Sequence, residues 1–165
     1  MALNSESHRI ADQLGRAFAG DAWHGPSLLE TLDGVTAEEA SARPLASGHS
    51  IWELVLHIQL YAHIAFEAAV AGISMPKLYG TEKDWPSVMD SSSTAWAGAM
   101  TLLVATGERL GQAIESFTDP RLQEKVPGRE YDFYYLFHGI VQHSLYHGGQ
   151  IAMLKREIRS GGIQR

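Results

Sequence analysis

His143 and His147 stand four residues apart in the stretch HSLYHGGQ, residues 143–150. On an α-helix four residues turn the chain by about 400°, so both imidazoles point the same way, one turn apart. Two rings so placed can grip one divalent cation through nitrogen lone pairs. The same spacing also suits two core histidines hydrogen-bonded to tyrosines or backbone, so the pair alone does not decide. A third histidine, His57, falls on the inward stripe Leu54, His57, Tyr61 and Ile64 of an earlier helical segment. Helical bundles build metal sites from side chains on facing helices, and three protein ligands leave positions open on the ion, as catalytic sites do. Burying an unpartnered imidazole or amide costs roughly 1–3 kcal/mol. His57, His143, His147 and the neighbouring Gln150 must therefore each be satisfied by something.

The remaining histidines rank lower. His63 lies six residues after His57 and His138 five before His143, which puts both on other faces. His49 reads as a loop residue, and His8 and His24 carry no pattern. Glu53, four residues before His57, could orient that ring, but a capping role suits it better. Tyr131, Tyr134, Tyr135 and Tyr146 read as packing residues with a polar tip, one of which could line a pocket. No catalytic residue beyond the metal ligands is singled out. GxSxG, the phosphate-binding loop and GxGxxG are all missing. HExxH is missing too, because residues 144–146 are Ser, Leu and Tyr, and so are the Glu-x-x-His pairs of di-iron proteins. With no cysteine in 165 residues, thiolate ligands and disulfides are excluded, and any metal falls to His, Asp or Glu.

These residues need elements to position them. Clean period-two alternation is absent, whereas helical periodicity is strong and predicts four main segments. The first runs over about 5–32, with Ile10, Leu14 and Phe18 inward and a break near Gly25-Pro26. A capping-box spacing at Thr36–Glu39 predicts a short turn. The second starts at the capping box Ser50-Ile51-Trp52-Glu53 and ends near Gly72. A long connection, residues 73–90, follows; it carries Trp85 and Pro86 and reads as a crossing pinned by its aromatics, or alternatively as a lid. The third segment follows cap candidates at 90–93. Its seam is Trp96, Met100, Leu103, Gly107, Leu110, Ile114 and Phe117, spaced as in a bundle, and Asp119-Pro120 stops it. The fourth covers about 130–158 with Leu136, Ile140, His143, His147, Gln150 and Leu154 inward. Gly148 and Gly149 cost that helix about 1 kcal/mol each relative to alanine. Ile151, Leu154 and Ile158 nevertheless continue its period, so the glycines are predicted inside it, leaving space beside His147 for a neighbouring helix or a ligand. Four amphipathic helices predict an all-α, four-helix bundle in a single domain, 1–165.

Composition excludes other classes. Thirteen Lys and Arg against 19 Asp and Glu give a net charge of −6, which offers no general attraction to nucleic acid or an anionic membrane. The N-terminal MALNSESHRI lacks an apolar signal core, and the most apolar helix carries His57, Gln59, His63 and Glu67. A soluble, cytoplasmic chain with no nucleic-acid and no membrane partner is expected.

Three stretches, WHGPSLLE at 23–30, SIWELVLHI at 50–58 and HSLYHGGQI at 143–151, resemble the DinB/YfiT-like superfamily of four-helix-bundle metalloenzymes. That family's late motif is a histidine, three residues, a second histidine, one residue, then Gly-Gln. It matches His143, His147, Gly149 and Gln150, and the family's second-helix histidine matches His57. The resemblance implies a metal site at His57, His143 and His147. It also implies up-down-down-up helix order, with a long crossover between the second and third long helices, and a homodimer. The implied cofactor is a divalent ion, zinc or nickel, with iron or manganese in some members. A small-molecule substrate is implied, with thiol S-transfer or hydrolysis as the reaction type and a low-molecular-weight thiol as co-substrate of the former. The alternatives are a metal-binding stress-response or binding module without turnover, and a structural bundle with satisfied core histidines.

Overall fold

Each long helix begins where a side chain closes an orphaned backbone donor. Ser50 accepts from the Glu53 N–H at 3.2 Å while the Glu53 carboxylate accepts from the Ser50 N–H at 2.9 Å, a reciprocal cap. Ser92 and Asp132 cap two further helices through the Ala95 and Tyr135 N–H groups. In the computed structural model, residues 5–161 are described. They form α1 (Glu6–Ala19), α2 (Leu28–Leu32), α3 (Ala37–Ser41), α4 (Ile51–Ala71), α5 (Ser93–Glu115), α6 (Asp119–Leu122) and α7 (Phe133–Arg159), with a 3-10 turn at Glu82–Asp84. There is no strand among the described residues, and the protein is all-α.

The four predicted segments are the four long helices α1, α4, α5 and α7, with differences at their ends. The first stops at Ala19, earlier than the break expected at Gly25-Pro26, because Gly20 and Asp21 both take positive φ, 149° and 57°. Asp119-Pro120 opens the short helix α6, where proline at the first turn costs no hydrogen bond, after α5 has already ended at Glu115. The fourth segment begins at Phe133 because Asp132 supplies the cap. The capping box at Thr36 and Glu39 starts α3 as expected.

Helix α4 packs on α5 and α7, and α1 packs on the same two. The close approach of α1 to α5 depends on Gly107: a Cβ there would lie 2.6 Å from Cε1 of the buried Phe18. The buried apolar residues form two clusters. One holds Ile10, Ala62, Leu110, Phe117, Phe137 and Ile140; the other holds Phe18, Trp52, Ile58, Leu103, Ile151 and Leu154. Along α4 the boundary falls between Ile58 and Ala62, and along α7 between Ile140 and Ile151. His143 and His147 sit at that junction near the middle of α7, and His57 adjoins it about a third of the way along α4.

Helix α4 is also long and apolar enough, by length and composition, to cross a membrane, and 44% of its most apolar window is buried inside the protein. Burial against two helices accounts for that composition.

The connection between α4 and α5 is tied down twice. The Met75 N–H donates to the Pro127 carbonyl at 2.8 Å and the Arg129 guanidinium donates to the Pro76 carbonyl, fixing its start beside the turn before α7. Its 3-10 turn then brings Asp84 and Trp85 against α4.

Candidate metal centre

The three histidines converge. Their candidate donor nitrogens all lie within 4.8 Å of one another, and their ring centroids are 4.5–4.9 Å apart. His57 and His147 are 5% exposed and His143 is half-buried. His57 comes from α4 and the other two from α7, one turn apart.

Hydrogen bonds fix which nitrogen two of the rings present. The Nδ1–H of His57 donates to the Asp84 backbone carbonyl at 2.7 Å, which leaves Nε2 as the lone-pair nitrogen. The Nδ1–H of His147 donates to Oε1 of Gln150 at 2.7 Å, with the same consequence. Nε2 of His57 and Nε2 of His143 are 3.0 Å apart. Two nitrogens held by one tetrahedral zinc at about 2.0–2.1 Å each lie roughly 3.3 Å apart, so the observed pair is close to the spacing that a shared ion requires.

The electrostatics favour neutral imidazoles. Burial pushes His57 and His147 below the ordinary histidine value, against the opposing pull of the Asp84 carbonyl and Gln150 respectively. His143 falls furthest, to about 3, through burial first and then repulsion from a protonated His147 or His57. Three uncharged imidazoles with candidate donor nitrogens gathered within 4.8 Å are the donor set a borderline divalent cation takes.

Around them lies a support that the sequence did not disclose. The Trp85 indole stacks on His57, with centroids 3.9 Å apart and planes 8° from parallel, and on His49 at 3.4 Å and 7°. Asp84, 5% exposed, accepts from the Tyr61 hydroxyl at 2.8 Å through Oδ1, and the same oxygen is 3.7 Å from Nδ1 of His57. Burial and that carboxylate push Tyr61 well above the ordinary phenol range. The connection from α4 to α5 is thus pinned by its aromatic onto a candidate ligand. The sequence predicts pinning by aromatics such as Trp85 but not His57 as the anchor, and Asp84 carried no signal beyond its place in an aperiodic segment.

The other histidines and the tyrosines separate cleanly. His63 is exposed and stands 4.0 Å from Glu67, and His138 lies beside Tyr134 and Glu6, away from the triad. His49 is a loop residue as expected, but it also lines the cavity. Glu53 caps α4 and pairs with Arg43 rather than orienting His57. Among the tyrosines read as packing residues, Tyr131 packs on the core. Tyr134 and Tyr135 are instead 45% and 66% exposed, Tyr134 lying beside His138 and Tyr135 beside Tyr131. Tyr146 lines the cavity beside the triad. Gly148 and Gly149 lie inside α7 as predicted. A Cβ on Gly148 would meet only Leu28 Cδ1, at 3.9 Å, and one on Gly149 would meet nothing within 4 Å.

The triad forms one wall of a cavity of about 780 Å³ bounded by α4, α7 and the segments 45–49 and 79–85. Converging neutral imidazoles beside an accessible cavity can hold an ion and admit a small molecule to it.

No curated protein and no solved structure matches the chain. The family model of the DinB superfamily does match, over residues 22–151, a span that contains all three histidines, Gln150 and the connection carrying Asp84 and Trp85. The chain belongs to the DinB superfamily.

Proposed function

We propose that this chain is a metal-dependent enzyme of the thiol S-transferase or hydrolase type, with His57, His143 and His147 holding one divalent ion, zinc or nickel. The observation that carries the reading is the convergence of three neutral imidazoles, two with their Nε2 lone pairs fixed inward, on the wall of a small-molecule cavity. When bound, the ion supplies Lewis acidity toward a thiol, a water or a carbonyl. The chain's own contribution is orientation. The Asp84 carbonyl and Gln150 hold the tautomers, Trp85 holds the plane of His57, and the apolar wall limits water. Support of this kind around metal-bound histidines fixes ring direction and basicity.

The reading extends to architecture. The four long helices form an up-down-down-up bundle, supported by the pairing of α4 and α1 with the same two helices and by the long connection from α4 to α5. A homodimer and a small-molecule substrate belong to the same proposal and rest on family membership; a single domain and a cytoplasmic location belong to it as well and rest on length and composition.

Elemental analysis of purified protein tests it. About one zinc or nickel per chain is expected, lost in His57→Ala and His147→Ala. Protein that stays metal-free after incubation with both ions overturns it.

One observation favours a second reading, a metal-binding stress-response or binding module without turnover. The single carboxylate lining the cavity among the described residues, Asp84, already accepts the Tyr61 hydroxyl. His49, the other base in the wall outside the triad, is occupied too: it lies flat on Trp85 and stands 3.7 Å from the Glu53 carboxylate. Metal-loaded protein that fails to turn over thiol–electrophile pairs and ester panels supports this reading over the first.

A further inference from the structure

We propose that the cavity beside the triad selects a substrate whose body is uncharged and aromatic or aliphatic, its one polar head being the group that reaches the histidines. This deepens the metal-centre reading and rests on it for the head alone; the selection of the body depends on the cavity walls.

The first observation is charge. No lysine or arginine among the described residues lines the cavity. Arg43 reaches the Gly48 carbonyl at its edge, but its guanidinium is paired with Glu53. His49 stands 3.7 Å from the same Glu53 carboxylate and lies flat on Trp85. The one acidic group in the wall, Asp84, adds negative potential. A carboxylate or phosphate on the body of a ligand would lose water and find no cation to replace it, and Asp84 would repel it.

The second observation is the rim. Tyr79, Met153, Tyr146 and Leu45 line the cavity and are 93%, 75%, 66% and 57% exposed. Single exposed apolar side chains are ordinary, but four converging on one opening form a patch that a ligand's apolar surface would cover. Two are tyrosines, whose ring faces suit a flat aromatic partner. A cavity of about 780 Å³ lies within the range of sites that enclose most of a drug-sized molecule. The walls therefore oppose a peptidic thiol that carries two carboxylates, even though its sulfur suits the metal.

Calorimetric titration tests this with four probes. Zinc-loaded protein is titrated with 2-naphthalenethiol and with glutathione. Zinc-stripped protein is titrated with 2-naphthol and with 2-naphthoate, which differ in charge but hardly in shape. The expected result is at least tenfold tighter binding of the naphthalenethiol than of glutathione, and of the naphthol than of the naphthoate. Tyr146→Ala and Met153→Ala, both at exposed positions where folding is not at stake, should each weaken the naphthol severalfold. Equal or tighter binding of glutathione and the naphthoate overturns the proposal, as does naphthol binding untouched by both substitutions. Protein that takes up no zinc but still prefers the naphthol loses the metal reading and keeps this one. Protein that takes up zinc and shows no preference does the reverse.

Discussion

Trp85 lies flat on His57, ring centroids 3.9 Å apart and planes within 8°, although the two residues belong to different segments of the chain. The neighbouring Asp84 carbonyl accepts from Nδ1 of the same imidazole. One short stretch of the connection thus fixes both the plane and the tautomer of a candidate ligand. Replacing Trp85 with alanine should free the ring to rotate and lower metal affinity by about tenfold, the lower end of what support around metal-bound histidines contributes. Trp85→Phe, which keeps a stacking face, should stay close to the parent. Competition titration with a chromogenic chelator measures both, and equal affinities for all three proteins would reduce the stack to packing.

Gln150 makes the corresponding contact on α7. Its Oε1 accepts from Nδ1 of His147 at 2.7 Å and so directs Nε2 toward the other two rings. Gln150→Leu removes the acceptor and should weaken metal binding by about 10–100-fold. Gln150→Glu keeps an acceptor at the same reach and should restore most of it. If the two variants bind alike, the amide does not set the tautomer.

These two supports differ in how far the sequence discloses them. Gln150 stands three residues from His147 on one helix, so helical spacing alone puts them side by side. His57 is legible for a similar reason, as a polar residue on an apolar stripe. The caps at Ser50, Thr36 and Ser92 are local and equally legible. Trp85 and Asp84 reach His57 across 28 and 27 residues, from a segment with no period to say which way a side chain points. His49 is recruited into the same stack only through that contact. The junction of two apolar clusters at the triad is a product of packing between helices, and no single helix pattern encodes it. The early end of α1 depends on backbone angles at Gly20 and Asp21, which the apolar stripe does not foretell.

The buried imidazoles make the metal-free protein sensitive to acid. In the unfolded chain each histidine takes a proton near pH 6.5, whereas in the folded chain burial holds His57, His143 and His147 lower, His143 at about 3. Below pH 6.5 the unfolded state therefore binds more protons, and stability falls as pH drops from 6.5 toward 3. It is fully present above 6.5. The slope is at most about 1.4 kcal/mol per pH unit for each proton taken up. Thermal melts of chelator-treated protein between pH 7.5 and 5 should show this decline, and His143→Gln should flatten it. A melting temperature that does not change over that range would mean the rings are protonated or solvated in the folded state.

Gly148 and Gly149 of the fourth long helix can be separated from Gly107 of the third by the same substitution. A Cβ on Gly149 would meet no atom within 4 Å and one on Gly148 would make an ordinary contact with Leu28, whereas one on Gly107 would press into Phe18 at 2.6 Å. Glycine inside a helix is less favourable than alanine by about 0.5–1 kcal/mol. Gly149→Ala should therefore raise stability by about that amount in urea unfolding. Gly107→Ala should lower it by about 1–3 kcal/mol, because Phe18 is buried against α5 and has nowhere to move. Of the two reasons the sequence offers for a gap beside His147, a neighbouring helix and a ligand, the first is not met at Gly149: no atom of the described residues lies within 4 Å of the Cβ position, and Gly149 is exposed and outside the residues that line the cavity. If Gly149→Ala gains stability and leaves metal uptake intact but loses turnover or naphthol binding, the space serves the ligand. A gain in stability with binding unchanged would leave that glycine without a role in the site.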